Sequence, residues 1–425
     1  MRICILWSFC VVAAIGCGPG PVNEAELRPH PFDWPQWQGP DRTAKSREAG
    51  LLTQWPAGGP QLSWRARKLG GGYSTPSVAS GRVFGMSFRG NDEVVWALEE
   101  ASGQELWHTT IGKATHDIGY DEGPRSTPTV DGELLYALGA GGDLVCLEIT
   151  QGTERWRKSL PQDFHGRMMS SWGYSESPLV DGDKLIVTPG GREATLVAVD
   201  KKTGETIWKA QVPEGDGAGY ASAIKAQADG KAQYVQFLGR GIVGITADAG
   251  KFLWRYDAPA NHTANCSTTI AEGDFVFAAS GYGTGGGLVH LVAENGKVKP
   301  QEVFFTKHMK NQHGGMVLVD GYVYGSDEGS LTCLDFKTGK VMWADRRPGK
   351  GSIAYADGHL YYRNEGGPIV LVEANPNEYV ECGRFEQPSR SGKAAWPHPV
   401  IANGKLYIRD QDTLWCYDVK HHEGT

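Results

Sequence analysis

Eight short segments, each leading into an apolar run, hold most of the side chains in this chain that could do chemistry. They read GGGYSTP, EGPRSTP, WGYSESP, DGAGYASA, ANCSTT, NQHGGM, PGKGSIAY and SGKAAWPHP. At matching points they carry Tyr73, Arg125, Tyr174, Glu176, Tyr220, Asn265, His313, Lys350 and Trp396. Longer loops nearby add His116, Asp117, Asp121, His165, Arg167 and Trp172. Aromatics mixed with cations and a few carboxylates have the character of a small-molecule or peptide site. Arg is the best of the cations for a carboxylate, because its planar fork can bond both oxygens. The expected small ligand is therefore anionic, with a flat or apolar part that lies on the aromatics. The competing expectation is that these residues only plug and hydrate a channel.

Other arrangements offer less. His421-His422 lies in the tail, and GYGTGGG (281–287) is not followed by a helix that would make it a phosphate cradle. Ser170-Ser171 near His165 lacks the G-x-S-x-G frame of a nucleophile. No local run has metal-ligand spacing, so neither a metal site nor a catalytic group is assigned.

The elements that must position the eight segments announce themselves by repetition. LTCLDFKTGKVMW has a small residue at Cys333, an acid at Asp335, then Gly339 and Trp343. The frame returns with Trp107, Trp156 and Trp208, and more loosely with Trp254. Each copy reads as an alternating strand, a tight turn and a second strand ending in Trp, a flat anchor to bury against the next sheet. A second turn, acid-Gly or its equivalent, recurs eight times, at Ser80-Gly81, Asp131-Gly132, Asp181-Gly182, Asp229-Gly230, Glu272-Gly273, Asp320-Gly321, Asp357-Gly358 and Asn403-Gly404. Copies roughly 40–50 residues apart predict an all-β, eight-bladed β-propeller. The eighth unit lacks an outer strand, and QLSWR with Trp64 has that missing sequence. The N-terminal strand is therefore expected to complete the last blade and close the ring, which removes exposed sheet edges. In such a ring the eight segments enter the innermost strands and share one channel mouth.

The bulk numbers agree. Charged residues are 21%, Gly numbers 58 and the net charge is −7, which suits turn-rich sheets and argues against nucleic acid or an anionic lipid surface as partner. Residues 1–17, MRICILWSFCVVAAIGC, read as a secretory signal, and Ala14-Ile15-Gly16-Cys17 resembles a lipobox with Cys17 as the lipidation site. We expect an exported, periplasmic chain touching the membrane only through that lipid. Residues 18–60 are expected to form a tether and irregular lead in which Trp34, Trp37 and Trp55 pack. Residues 61–420 form the propeller and 421–425 a tail. Cys146, Cys333 and Cys416 occupy the small-residue slot of the Trp frame and Cys266 and Cys382 lack partners by spacing, so all five are expected free.

The eleven-residue frame, in VDKKTGETIW and LDFKTGKVMW, resembles the tryptophan-docking motif of the pyrroloquinoline quinone (PQQ) propellers, and WPQWQGPDR resembles the lead of the bacterial PQQ-like repeat proteins. By that resemblance Trp64, Trp107, Trp156, Trp208, Trp254 and Trp343 are docking residues. The resemblance implies one of two branches. BamB-like lipoproteins are cofactor-free scaffolds of outer-membrane protein assembly. Quinoprotein alcohol dehydrogenases hold PQQ and calcium in the channel. This chain has no adjacent Cys-Cys pair and lacks the long insertions of the dehydrogenases, although Glu176, Asn265 and Asp117 could supply oxygen ligands in principle. The expectation is a non-catalytic binding or scaffold module without cofactor, meeting protein partners at its rim or blade edges. The alternative is a PQQ-dependent dehydrogenase with its site at the channel mouth.

Overall fold

Acid-Gly and Asn-Gly pairs close hairpins because both positions tolerate the left-handed backbone that matches strand twist. At Ser80-Gly81, Asp229-Gly230, Asp320-Gly321, Asp357-Gly358 and Asn403-Gly404 both residues have positive φ, between 47° and 84°. In the computed structural model, which describes residue 27 and residues 29–422 except 117 and 120–122, these hairpins organise eight four-stranded antiparallel sheets. The signal segment, Cys17, Asp117 and Asp121 lie outside the described residues. The sheets form an eight-bladed propeller with almost no helix. Blades 1 to 7 run in chain order from Ser77–Ala79, the inner strand of blade 1, to Glu381–Phe385, the outer strand of blade 7.

Blade 8 is built from both ends of the chain. Its inner strands are Val400–Ala402, Lys405–Asp410 and Thr413–Asp418, and Gln61–Ala66 pairs antiparallel with the last of these. The N-terminal strand thus closes the ring. Arg409 ties the closure from inside: its guanidinium, fully buried, donates to the carbonyls of Ser74 (2.8 Å) and Met86 (2.6 Å) and to Ser87 Oγ (2.8 Å) of blade 1.

Between blades the Trp positions interlock with the next turn. The Nε1 of Trp64 donates to Glu100 O at 2.9 Å, that of Trp107 to Ile149 O at 3.0 Å, that of Trp156 to Lys201 O at 3.0 Å and that of Trp343 to Asn375 O at 2.7 Å. The ring of Trp208 lies against Gly250 of the next turn, although its Nε1 makes no hydrogen bond there. Trp254 differs, keeping its Nε1 on Gln233 Oε1 of its own blade at 2.7 Å. The next blade explains this, because its outer strands, Gly285–Glu294 and Lys297–Thr306, are ten residues each and carry their turn beyond reach of the indole. Each Trp stands opposite the small slot residue, Cys146 facing Trp156, Cys333 facing Trp343 and Cys416 facing Trp64. The five cysteines among the described residues are free.

Two blades fill the Trp position differently. In blade 5 Phe304 pairs with Leu288 and lies on Gly339 of blade 6. In blade 7 the position is Gly383, and an added Cβ there would come within 2.6 Å of Trp55 from the lead. Trp55 is buried against Tyr361 and Phe385, with its amide bonded to Cys382 O at 3.0 Å.

The rest of the lead, residues 29–60, crosses the turn-side mouth of the channel. Trp34 exchanges backbone hydrogen bonds with Val78 of blade 1, Ala44 and Ser46 bond Tyr355 of blade 7, and Leu52 bonds Val419 of blade 8. Arg42 pushes inward and is buried, donating to Ala223 O at 2.9 Å and to the carbonyls of Ser177 and Pro178. Among the described residues no helix is long and apolar enough to cross a membrane.

Candidate functional site: the channel mouth

The segments entering the inner strands converge at the mouth opposite the lead, around a cavity of about 330 Å³. That volume lies within the range of small-molecule sites, roughly 300–1,000 Å³. Six of the nine residues singled out from sequence line it: Tyr73, Arg125, Tyr220, His313, Lys350 and Trp396. The other three turn into the wall. Tyr174 is buried in the core between blades 2 and 3 with its hydroxyl on Pro189 O at 2.8 Å. Glu176 accepts from Thr188 N and from Gln236 Nε2 at 3.0 Å. Asn265 donates to Leu238 O (2.9 Å) and Gly239 O (3.1 Å) and accepts from Asn261 N (3.0 Å). The reason is alternation. In extended backbone, successive side chains point to opposite sides, so Ser175, Ala264 and Cys266 face the cavity while their neighbours do not.

Each lining group has an identifiable setting. Tyr73 and Trp396 pack with ring centroids 4.5 Å apart, and His313 lies 5.4 Å from Trp396. Across the mouth Trp172 and Tyr220 pack at 5.5 Å, and the Tyr220 hydroxyl meets Ser170 Oγ at 2.6 Å. The Arg125 guanidinium sits over Tyr73, 5.6 Å from the ring centre, and donates to Trp172 O and Gly119 O, both at 3.1 Å. Lys350 Nζ is 3.0 Å from Glu365 Oε2, whose Oε1 also accepts from Trp396 Nε1 at 2.6 Å. Trp37 rises from the lead as the floor, 4.5 Å from the His398 ring, with Nε1 on Thr268 Oγ1 at 2.8 Å. Sequence reasoning had placed Trp37 among packing anchors, and the structure exposes one of its faces to the cavity.

Electrostatically the mouth is quieter than its composition suggests. Burial pushes His398 down to about 4 and His313 well below its usual value, so both imidazoles are neutral near pH 7. Burial raises the Cys266 thiol to about 12, leaving it unreactive. Deeper in the channel, burial lifts Glu176 to about 7 and lowers Arg42 to about 9, the two charges partly offsetting each other's desolvation.

Glu365, Gln312, His398 and Tyr282 were not singled out from sequence. Glu365 lies in the turn after the second strand of blade 7, and Tyr282, 47% exposed, sits in the blade 5 turn within GYGTGGG. Gln312 and His398 stand inside the entering segments NQHGGM and SGKAAWPHP, whereas for Glu365 and Tyr282 the only signal was Gly-rich turn composition, which marks a bend without saying what it overhangs. His116, His165 and Arg167 are not among the cavity's lining residues.

Among the described residues, which exclude Asp117, a calcium-and-quinone site finds no fit. Glu176 and Asn265 have their oxygens committed inside the wall, and Glu365 is held by Lys350 and Trp396. Among the described residues no group of three or more His, Cys, Asp or Glu is placed to hold a metal ion.

Eight interlocked four-stranded blades, a strand-closed ring and an aromatic channel mouth define a β-propeller of the PQQ-like repeat class. The family model described as outer membrane protein assembly factor BamB matches residues 91–345, and the chain belongs to that family. It is 22% identical over 271 residues to the outer membrane protein assembly factor BamB of Burkholderia pseudomallei, covering 60% of this chain and 62% of that protein, less than two thirds of its length. With the protein of the same name from Shewanella oneidensis it shares 21% over 316 residues, 71% of this chain and 72% of that one. Among solved structures, BamB from Moraxella catarrhalis superposes with a TM-score of 0.55 at 16% identity, covering 80% of this chain and 95% of that one. Quinohemoprotein alcohol dehydrogenase from Comamonas testosteroni superposes with 0.65 at 14%, covering 94% and 82%. At these identities the structural likenesses speak for the fold alone.

Proposed function

We propose that this chain is an exported, non-catalytic propeller that acts as a binding or scaffold module in the cell envelope, assisting outer-membrane protein assembly as its relatives' name describes. The family match over residues 91–345 carries this reading. The signal-like residues 1–17 support export, and Cys17 would supply a lipid anchor. Docking would use the outer strands, whose outer edges no further strand of the same sheet covers. Leu106, Ile207 and Val303 stand exposed on three of them, each one residue before the Trp or Phe of its blade. An extended segment of a partner could add there by main-chain hydrogen bonds, with apolar side chains giving selectivity.

A photo-crosslinker at residues 106, 207 and 303 of the full chain, expressed in a Gram-negative host, tests this. The expected adducts are β-barrel precursors or their assembly machinery. Recovery of the protein from the cytoplasm without adducts would reject the reading. So would dye-linked alcohol oxidation that requires both PQQ and calcium.

A further inference from the structure

The channel-mouth cavity has three features that together select a ligand class. First, aromatic faces line it on several sides: Tyr73 with Trp396, Trp172 with Tyr220, and Trp37 as floor. Second, hydroxyl, amide and charged groups lie among the rings: Gln312, Ser222, Thr75 and the Lys350–Glu365 pair. Third, the charges are already engaged. Lys350 is held by Glu365, and Arg125 by two backbone carbonyls and the Tyr73 face.

An anionic ligand would have to compete with Glu365 for Lys350 and lose its own hydration, which costs heavily when no uncommitted cation replaces the water. A cationic ligand would meet Arg125 and Lys350. A neutral ligand meets neither cost. A purely apolar one would strand the polar groups, each of which is expensive to leave unpaired once water is displaced. The remaining class is neutral and carries many hydroxyls. A hydroxyl both donates and accepts, so it can bond the outer lone pairs of Glu365, the ammonium of Lys350 and the amide of Gln312. A pyranose also has a face of C–H bonds, whose slight positive charge suits the negative face of an aromatic ring.

We propose that the channel mouth is a saccharide-binding site, with an uncharged pyranose stacked on the Trp396 or Trp172 side and its hydroxyls bonded by Glu365, Lys350 and Gln312. This replaces the anionic ligand expected from composition, because composition counts cations without showing that they are engaged. The site does not depend on the envelope role, since its geometry lies within the ring and away from the outer strands.

Three cavity tryptophans make intrinsic fluorescence a direct probe. The purified full chain, with its signal segment processed, is titrated with glucose, galactose, N-acetylglucosamine and their β-linked disaccharides, and separately with benzoate and citrate. Saturable quenching by at least one sugar is expected, confirmed by calorimetry, with no saturation by either anion. Trp396→Ala and Glu365→Gln should each weaken that binding at least about tenfold, the scale of one charge-assisted hydrogen bond or stacked ring. Tyr282→Ala, at an exposed turn, should weaken it severalfold with an unchanged melting temperature. Saturation by benzoate or citrate and by no sugar overturns the proposal in favour of an anion site. No saturation by any probe, or sugar binding unaffected by all three substitutions, overturns it in favour of a plugged channel.

Discussion

Trp55, in the lead, stands over Gly383 in blade 7, at the position that Trp64, Trp107, Trp156, Trp208, Trp254, Phe304 and Trp343 fill from within their own outer strands. A large aromatic is needed at every blade boundary, because a gap there would leave the sheet faces without contacts. Here the strand supplies only glycine and a remote segment brings the ring. Trp55→Ala should therefore destabilise the propeller by about 3–5 kcal/mol, as for other buried aromatics. Chemical denaturation measures this, with the exposed Lys337→Ala as control. A loss no larger than the control's would make the lead a loose covering.

The interlock of Trp156 with Gly204 allows a cleaner comparison. Gly204 has φ of 74°, and a methyl group there would come within 2.9 Å of the indole. Gly296 has φ of 76° with nothing within 4 Å. Both Gly→Ala substitutions incur the backbone cost of a left-handed residue, but only Gly204→Ala should add an overpacking cost of about 1–3 kcal/mol. Equal losses in thermal denaturation would mean that the turn can yield to the indole.

Ring closure rests on Arg409 as well as on strand pairing. Arg409→Met keeps much of the side-chain bulk but leaves the carbonyls of Ser74 and Met86 unbonded by it. Unsatisfied buried groups cost about 1–3 kcal/mol each. We expect a lower denaturation midpoint and faster hydrogen exchange at the blade 8 to blade 1 junction than elsewhere. Uniform exchange would place closure in the strand alone.

The stability contributed by two buried carboxyls, Glu93 and Glu176, should decline as pH rises toward neutrality, against the opposite contribution of the buried neutral His313 and His398. Burial raises both Glu93 and Glu176 to about 7 from 4.5. The folded state then holds protons that the unfolded state releases, so this stabilisation is fully present below about pH 4.5 and lost as pH rises through about 7. Glu93→Gln and Glu176→Gln keep an acceptor for Ala140 N and Thr188 N respectively, and cannot ionise. Each variant's melting temperature should fall less than the wild type's between pH 5 and pH 7.5, to the order of a few degrees. Parallel curves would show that these carboxyls titrate normally.

Sequence alone determined the repeat. Its hairpin turns and Trp frame act locally, through backbone handedness and strand alternation, so eight blades and the closing role of QLSWR were legible without tertiary information. The position of the mouth followed from the same periodicity. Tertiary structure alone decided which mouth residues face inward. Tyr174, Glu176 and Asn265 share segments with lining residues, but alternation turns them into the wall, and its phase is set by how each segment meets its strand. It also decided that Lys350 and Arg125 are engaged, because their partners Glu365 and Trp172 O come from different loops. The lead has no period at all. The positions of Trp37, Arg42 and Trp55 depend on long-range packing, in which distant segments present the Thr268 hydroxyl, the carbonyls and the empty glycine position that those side chains meet.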